Sequence, residues 1–247
     1  MTFDAALALT TVRLSRIAYR PIDQAEQNVS DMGLTSFRFF SGASTQAFVA
    51  EDEARRYLVF RGTEADNPVD WMRDAQFQPV TGALGTMVHS GFRRALDEVW
   101  PAVIAHLTAV PKPLAVTGHS LGAGLGVLAA ARLATNAPVE SVYTYGSPRV
   151  GLKDFANAYH RELGSRTFRV INHIDIVTRV PLLVQNYRHV GYRMYFDGNG
   201  SFHPEAGAWQ IAKDDIIARF KHFGTIRSAG VTPHEISRYA ERVKTIQ

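Results

Sequence analysis

The stretch Gly118-His119-Ser120-Leu121-Gly122 constrains this chain more than any other. It follows Pro113-Leu114-Ala115-Val116-Thr117, a short apolar run suited to a buried strand. It leads into residues 121–134, rich in Ala, Leu and Gly and free of Pro, which should be helical. A strand that turns at once into a helix brings two backbones together, and side chains there would collide. Gly118 and Gly122 remove those side chains, while Gly124 and Gly126 are expected to let the helix lie close to the sheet. Ser120 is left at the apex with its hydroxyl projecting from the sheet edge. The first turn of the helix points free N–H groups toward it.

The remaining pattern predicts an α/β architecture. A chain of 247 residues, 46% of them hydrophobic, fits one domain over residues 1–247 with a substantial core. Residues 3–19 carry apolar side chains at helical spacing and read as a covering helix. Residues 35–40, 45–50 and 54–60 read as strands joined by tight turns. Residues 87–110 read as one long helix containing Pro101. Residues 141–145 and 167–172 read as core strands with a helix over 152–163 between them. Residues 187–196 form a later strand, 197–209 a glycine-rich loop, and 214–223 and 233–243 two helices. Strand–helix alternation from residue 113 onward implies a mostly parallel central sheet with helices on both faces. The N-terminal strands form an antiparallel hairpin at its front.

Composition removes several chemistries. The chain has no cysteine, which excludes disulfides, thiolate metal sites and a cysteine nucleophile. Its formal charge is +4, and Arg55-Arg56 and Arg93-Arg94 are isolated pairs, so no tract suits nucleic acid. The apolar stretch from Ala5 to Leu9 is too short for a signal-peptide core, and no segment approaches a membrane span. A cytoplasmic location is the default expectation, or secretion if the chain is a mature form.

The apex serine directs the search for its partners. G-x-S-x-G between a strand and a helix is the nucleophile elbow of α/β-hydrolases. A serine hydroxyl attacks poorly at neutral pH without a base, and the base needs an orienting acid. In this fold acid and base follow the serine in that order. Asp175 lies just beyond the strand 167–172 and before Pro181, where the acid is needed. Asp154 falls inside a predicted helix, and Asp197, in a glycine-rich loop, is the runner-up. Four histidines follow Asp175: His189, His203, His222 and His234. His189 sits within a predicted strand and reads as structural. His234 opens the last predicted helix, from which a loop can swing over the sheet edge, and ranks first. His222 and His203 stand behind it.

These residues resemble the class 3 lipases, the fungal-type triacylglycerol lipase group of α/β-hydrolases. Val59-Phe60-Arg61-Gly62-Thr63 looks like the family's strand and oxyanion loop, and Asp70-Trp71-Met72-Arg73-Asp74 like its next segment. His89-Ser90-Gly91-Phe92 is similar to its H-x-G-F element. Gly118 to Gly122 and Tyr145-Gly146-Ser147-Pro148-Arg149-Val150-Gly151 resemble the elbow and the turn after it. The segment 172–181 resembles the one carrying the catalytic aspartate, and His234 with Tyr239 the terminal His and aromatic. The chain departs from the fungal members in lacking disulfides, and it carries Pro233 where the family often has an acidic residue.

The resemblance implies hydrolysis of carboxylic esters of lipids through an acyl-enzyme, with Ser120 as nucleophile, Asp175 as acid and His234 as base. Leu121 N–H and Thr63 N–H are the expected oxyanion donors, with the Thr63 hydroxyl as a third. No metal or cofactor is required, and no obligate protein partner is evident. His119 reads as a packing residue, and His89 and Trp71 as structural supports. The segment Glu64, Ala65, Asp66, Asn67, Pro68, Val69 and Asp70 occupies the family's lid position. It is short and polar, so contact with a lipid interface should be transient and soluble or shorter-chain esters favoured. A carboxylesterase or feruloyl-esterase-like activity on the same triad, and a catalytically silent binding protein, are the competing readings.

Overall fold

The computed structural model describes residues 2–63, 78–109, 111–181, 183–204, 207 and 234–246. An eight-stranded sheet runs in the order β1-β2-β3-β6-β7-β9-β11-β12. Its strands are β1 (Ser36–Ser41), β2 (Gln46–Glu51), β3 (Arg56–Phe60), β6 (Leu114–His119), β7 (Val139–Tyr145), β9 (Thr167–Asn172), β11 (Tyr192–Phe196) and β12 (Phe202–Pro204). The first three pair antiparallel. From β3 to β11 every pairing is parallel, and β12 returns antiparallel. A small four-stranded sheet combines β4 (Pro79–Thr81), β5 (Met87–His89), β8 (Gly151–Leu152) and β10 (Tyr187–Arg188).

Each face of the large sheet has its own apolar core. One face packs α1 (Ala5–Ile17) and α6 (Ile236–Lys244) against Tyr57, Val59, Ala115, Phe168 and Val170. The other packs α3 (Ser90–Ala109), α4 (Leu121–Leu133) and α5 (Lys153–Leu163) against Leu58, Phe60, Val116 and Val142. The parallel strands are buried on both faces, which explains why β6 and β9 are apolar-rich runs without clean alternation.

The sequence pattern misplaces four features. Residues 87–89 are a strand, because Val88 pairs with Gly151 and with Val80, and the helix begins only at Ser90. Three residues are too few for a period-two signal to show. Residues 187–196 divide into β10 and β11 at Gly191, whose φ of +76° breaks the strand. The expected loop beyond 197 contains β12, paired to β11. The helix α2 (Ile22–Asp31) buries only Ala25 and Val29, so its apolar stripe is too thin to read. The lid-position segment Glu64–Asp70, the motif through Asp74 and the helix expected at 214–223 with His222 lie outside the described residues.

The elbow glycines answer to different constraints. A Cβ on Gly118 would lie 2.3 Å from the Gly122 carbonyl oxygen, and one on Gly122 would lie 2.3 Å from the Phe60 oxygen. On Gly124 it would meet the Phe92 ring at 2.8 Å, whereas on Gly126 the nearest atom is 3.5 Å away. Gly126 is therefore not required for packing. Gly122→Ala should sharply lower the melting temperature or abolish folding. Gly126→Ala should hold or raise it, gaining up to about 1 kcal/mol of helix propensity. Thermal melts of the two variants check this, and equal losses would refute the steric argument.

Candidate active site

Ser120 sits between β6 and α4 with φ +57° and ψ −126°, outside the regions an L-residue normally occupies. Its N–H donates to the Tyr145 carbonyl at 3.0 Å, and its carbonyl accepts from the N–H groups of Ala123 and Gly124. These bonds, together with the contacts at Gly118 and Gly122, hold the strained turn. Only 3% of Ser120 is exposed.

Asp175 lies three residues beyond β9 and is fully buried. Its two oxygens do different work. Oδ1 accepts the Val177 N–H at 2.9 Å and caps the short 3-10 turn Ile176–Arg179. Oδ2 accepts from His234 Nδ1 at 2.8 Å and from the Tyr239 hydroxyl at 2.5 Å. Tyr239 in turn accepts the Asn172 N–H at 3.2 Å, tying α6 to the end of β9. Burial pushes the Asp175 carboxyl upward. The charge and hydrogen bond of His234, the Tyr239 hydroxyl and His119 outweigh it, so the carboxyl titrates below its usual value. Tyr239 is pushed well above the usual tyrosine value by burial and by the adjacent carboxylate.

The tautomer of His234 follows from this contact. Nδ1 faces a carboxylate, which can only accept, so Nδ1 carries the proton and the neutral ring keeps its lone pair on Nε2. That Nε2 is buried and has no hydrogen-bond partner among the described residues. The ring packs against His119, the residue before Ser120, and against Gly146. It lies 4.5 Å from the His119 ring, and a Cβ on Gly146, the residue after Tyr145, would be 2.9 Å from it. His234 precedes α6 by two residues rather than opening it.

His119 does more than pack. Its Nε2 lies 2.6 Å from the His234 carbonyl, and its Nδ1 lies 2.8 Å from the Tyr19 hydroxyl. Burial first, then the neighbouring His234, push its imidazole down to about 3. No sequence-local signal joins residues 19, 119 and 234. A weaker clue was available in α1, where polar Thr11 and Ser15 interrupt an apolar helix and both prove fully buried.

The other candidates are engaged elsewhere. Asp197 and His203 pair with each other, Nε2 to Oδ2, at 2.9 Å. His189 donates Nε2–H to the Thr178 carbonyl at 2.7 Å, and burial with the nearby arginines Arg169 and Arg149 pushes it well below the usual histidine value. Asp154 accepts the Met87 N–H at the start of β5. The oxyanion candidates flank the elbow. Leu121 is the first residue of α4, where an N–H has no intrahelical acceptor. The backbone at Phe60–Arg61 abuts Gly122, and a Cβ on Gly62 would strike the Tyr19 hydroxyl at 2.1 Å and the His119 carbonyl at 2.7 Å. Thr63 follows directly, with its Oγ1 buried and without a hydrogen-bond partner among the described residues. A cleft of about 230 Å³ opens here, lined by Gly42, Ser44, Gln46, Arg61 and Thr63. Among the described residues no group of His, Asp and Glu has the arrangement of a metal site.

Two buried histidines make acid stability predictable. His89 is pushed down to about 4 by burial, and His119 to about 3. Below the ordinary value of 6.5 the unfolded chain binds protons that the folded chain refuses, so stability falls as pH drops. The slope is about 1.4 kcal/mol per pH unit for each such histidine. Asp175, lowered in the fold, adds a further loss below the usual carboxylate range. Urea denaturation at pH 7 and pH 5 checks this, and equal stability at both would contradict it.

Residues 57–185 match the family model described as lipase (class 3). Over 159 residues the chain is 39% identical to a secreted mono- and diacylglycerol lipase of Fusarium solani, covering 62% of this chain and 47% of that protein. It is 34% identical over 169 residues to a lipase of Rhizomucor miehei, covering 63% and 46%. The chain thus spans about half the length of the curated relatives it matches. The solved mono- and diacylglycerol lipase from Aspergillus oryzae shares the fold with a TM-score of 0.71 at 24% identity, over 84% of this chain and 87% of that one.

Proposed function

Because this chain belongs to the class 3 lipase family, we propose that it hydrolyses carboxylic esters of lipids through an acyl-enzyme. The observation that carries the reading is the buried Asp175–His234 pair, whose imidazole packs against His119, the residue before a strained serine.

In this reading His234 Nε2 takes the proton of Ser120 as its oxygen attacks the ester carbonyl. Asp175 holds Nδ1–H and stabilises the imidazolium that forms. The imidazolium then protonates the leaving alcohol, and water deacylates the enzyme by the same route. The oxyanion is received by the N–H groups of Leu121 and Thr63, with the Thr63 hydroxyl as third donor. An unpaired buried hydroxyl supports that role, since it is costly unless a ligand completes it. Among the described residues nothing bonds His234 Nε2, and catalytic hydrogen bonds commonly tighten only when substrate binds.

Acylglycerols are the proposed substrates, in keeping with relatives named for mono- and diacylglycerols. The lid-position segment Glu64–Asp70 is proposed to make only transient contact with a lipid surface. A cytoplasmic setting gains no support, because those relatives are by name secreted enzymes.

The test is stoichiometric labelling by an organophosphonate followed by assays on mono-, di- and triacylglycerol. Wild type should be labelled at Ser120, and Ser120→Ala should stay folded and lose nearly all turnover. An unlabelled, folded wild type would favour a silent binding fold. His234→Ala should nearly abolish activity, whereas His203→Ala should retain most of it. Activity lost in the second and kept in the first would overturn the base assignment. Thr63→Val should lower kcat on the order of 10²-fold with little change in KM. An unchanged kcat would leave the backbone N–H alone as the donor.

A further inference from the structure

The contact between Tyr19, His119 and His234 ends a longer series. The helix α1 crosses the ends of β6 and β7 and is tied to them by polar contacts about one or two turns apart. Asp4 exchanges backbone hydrogen bonds with the Tyr143 hydroxyl at 3.1 and 3.3 Å. Thr11 Oγ1 meets the Tyr145 hydroxyl at 2.8 Å, and Ser15 Oγ meets Thr117 Oγ1 at 3.0 Å. Tyr19, two residues past the helix, meets His119 at 2.8 Å. On the sheet side these partners are alternate residues in direct register, Thr117 with Tyr143 and His119 with Tyr145. The seam therefore runs along one sheet face and finishes beside Ser120.

The direction of the last two bonds is fixed by chemistry. The His234 carbonyl can only accept, so His119 Nε2 carries the proton. The neutral ring then accepts at Nδ1, and the Tyr19 hydroxyl donates to it. We infer that Tyr19 and His119 are positioning residues, a two-link strap through which the N-terminal helix fixes the backbone of the catalytic base His234 and, at Gly62, the oxyanion loop. This rests on the function proposed above.

Three observations carry the assignment. His119 grips the base by its main chain, leaving Nδ1 to Asp175 and Nε2 to the serine. The same Tyr19 hydroxyl lies where a Cβ of Gly62 would be, one residue before Thr63. A single phenol thus touches both halves of the machinery. The tilted His119 ring beside it also stays neutral, so an imidazolium forming on His234 meets no second charge at 4.5 Å. Tyr19 lies outside the segment 57–185 that matches the family.

The experiment compares wild type with Tyr19→Phe, His119→Phe, His119→Gln and Tyr143→Phe. Melting temperature, kcat, KM on a soluble ester and the rate of Ser120 phosphonylation are measured for each. His119→Phe keeps a ring but loses the donor, and kcat and the phosphonylation rate should both fall about tenfold or more with KM nearly unchanged. Gln reaches a similar position with an amide N–H and should restore most of that loss. Tyr19→Phe should lower kcat severalfold. Tyr143→Phe, which loosens the far end of α1, should lower the melting temperature while kcat holds. If Tyr19→Phe and His119→Phe behave like Tyr143→Phe, the strap is structural only and the inference falls. Should His119→Phe not fold, Tyr19→Phe decides alone, and wild-type kcat in that variant overturns the proposal. Failure of wild type itself to react with phosphonate would instead strike the proposed function.

Discussion

Three backbone segments meet at Ser120, and the rest of the site depends on their distance. The end of β3, the end of β6 and the first turn of α4 approach so closely that a single methyl group on Gly118 or Gly122 would enter van der Waals overlap with main-chain oxygen. Backbone cannot rotate away as a flexible side chain can, so the constraint is steric and absolute within the fold. It has two consequences. It holds a non-glycine residue at φ +57°, a conformation that costs on the order of 1–3 kcal/mol and survives only where its surroundings over-determine it. It also sets the Gly62-Thr63 loop against the elbow, so that Ser120 and the loop share one rigid reference.

Electrostatics then distributes protons around that reference. Asp175 is fully buried yet remains the easier group to ionise, because it collects three donors: the Val177 amide, the His234 ring and the Tyr239 hydroxyl. A buried carboxylate without such donors would take up a proton instead. Tyr239 keeps its own proton for the same reason, since a second anion beside Asp175 is opposed by both burial and charge. His119 is held neutral by burial. The carboxylate charge of Asp175 thus lies on the far side of His234 from its Nε2.

Much of this was legible in the sequence, and the failures have a common cause. The strands β6, β7 and β9 and the helices α1, α4 and α5 announce themselves through local apolar pattern, because each buries a face of its own. The elbow glycines were legible because sterics acts between residues four apart. Short or thinly buried elements were not: β5 exists through Val88 pairing with a strand sixty residues later, and α2 buries two side chains. The position of His119 was predictable, its contacts were not. Hydrogen bonds from residue 119 to residues 19 and 234 leave no trace in nearby sequence, since the partners meet only after the sheet has formed. Thr11 and Ser15 carried a partial signal, as polar residues on the face of α1 that packs on the sheet.

Gly146 shows how the site's electrostatics and sterics converge on one residue. Its φ of +60° suits a glycine, but conformation is the lesser demand. A Cβ there would lie 2.8 Å from Asp175 Oδ2 and 2.9 Å from the His234 ring. The turn after β7 therefore forms a wall against which Asp175 and His234 are packed together. A second wall is the His119 ring, 4.5 Å from the His234 ring. Between them the imidazole has one wall of bare backbone and one neutral aromatic ring, with its Nδ1 bonded and its carbonyl held. The ring atom left without a hydrogen bond among the described residues is Nε2, the one that the proposed proton transfer to and from Ser120 requires.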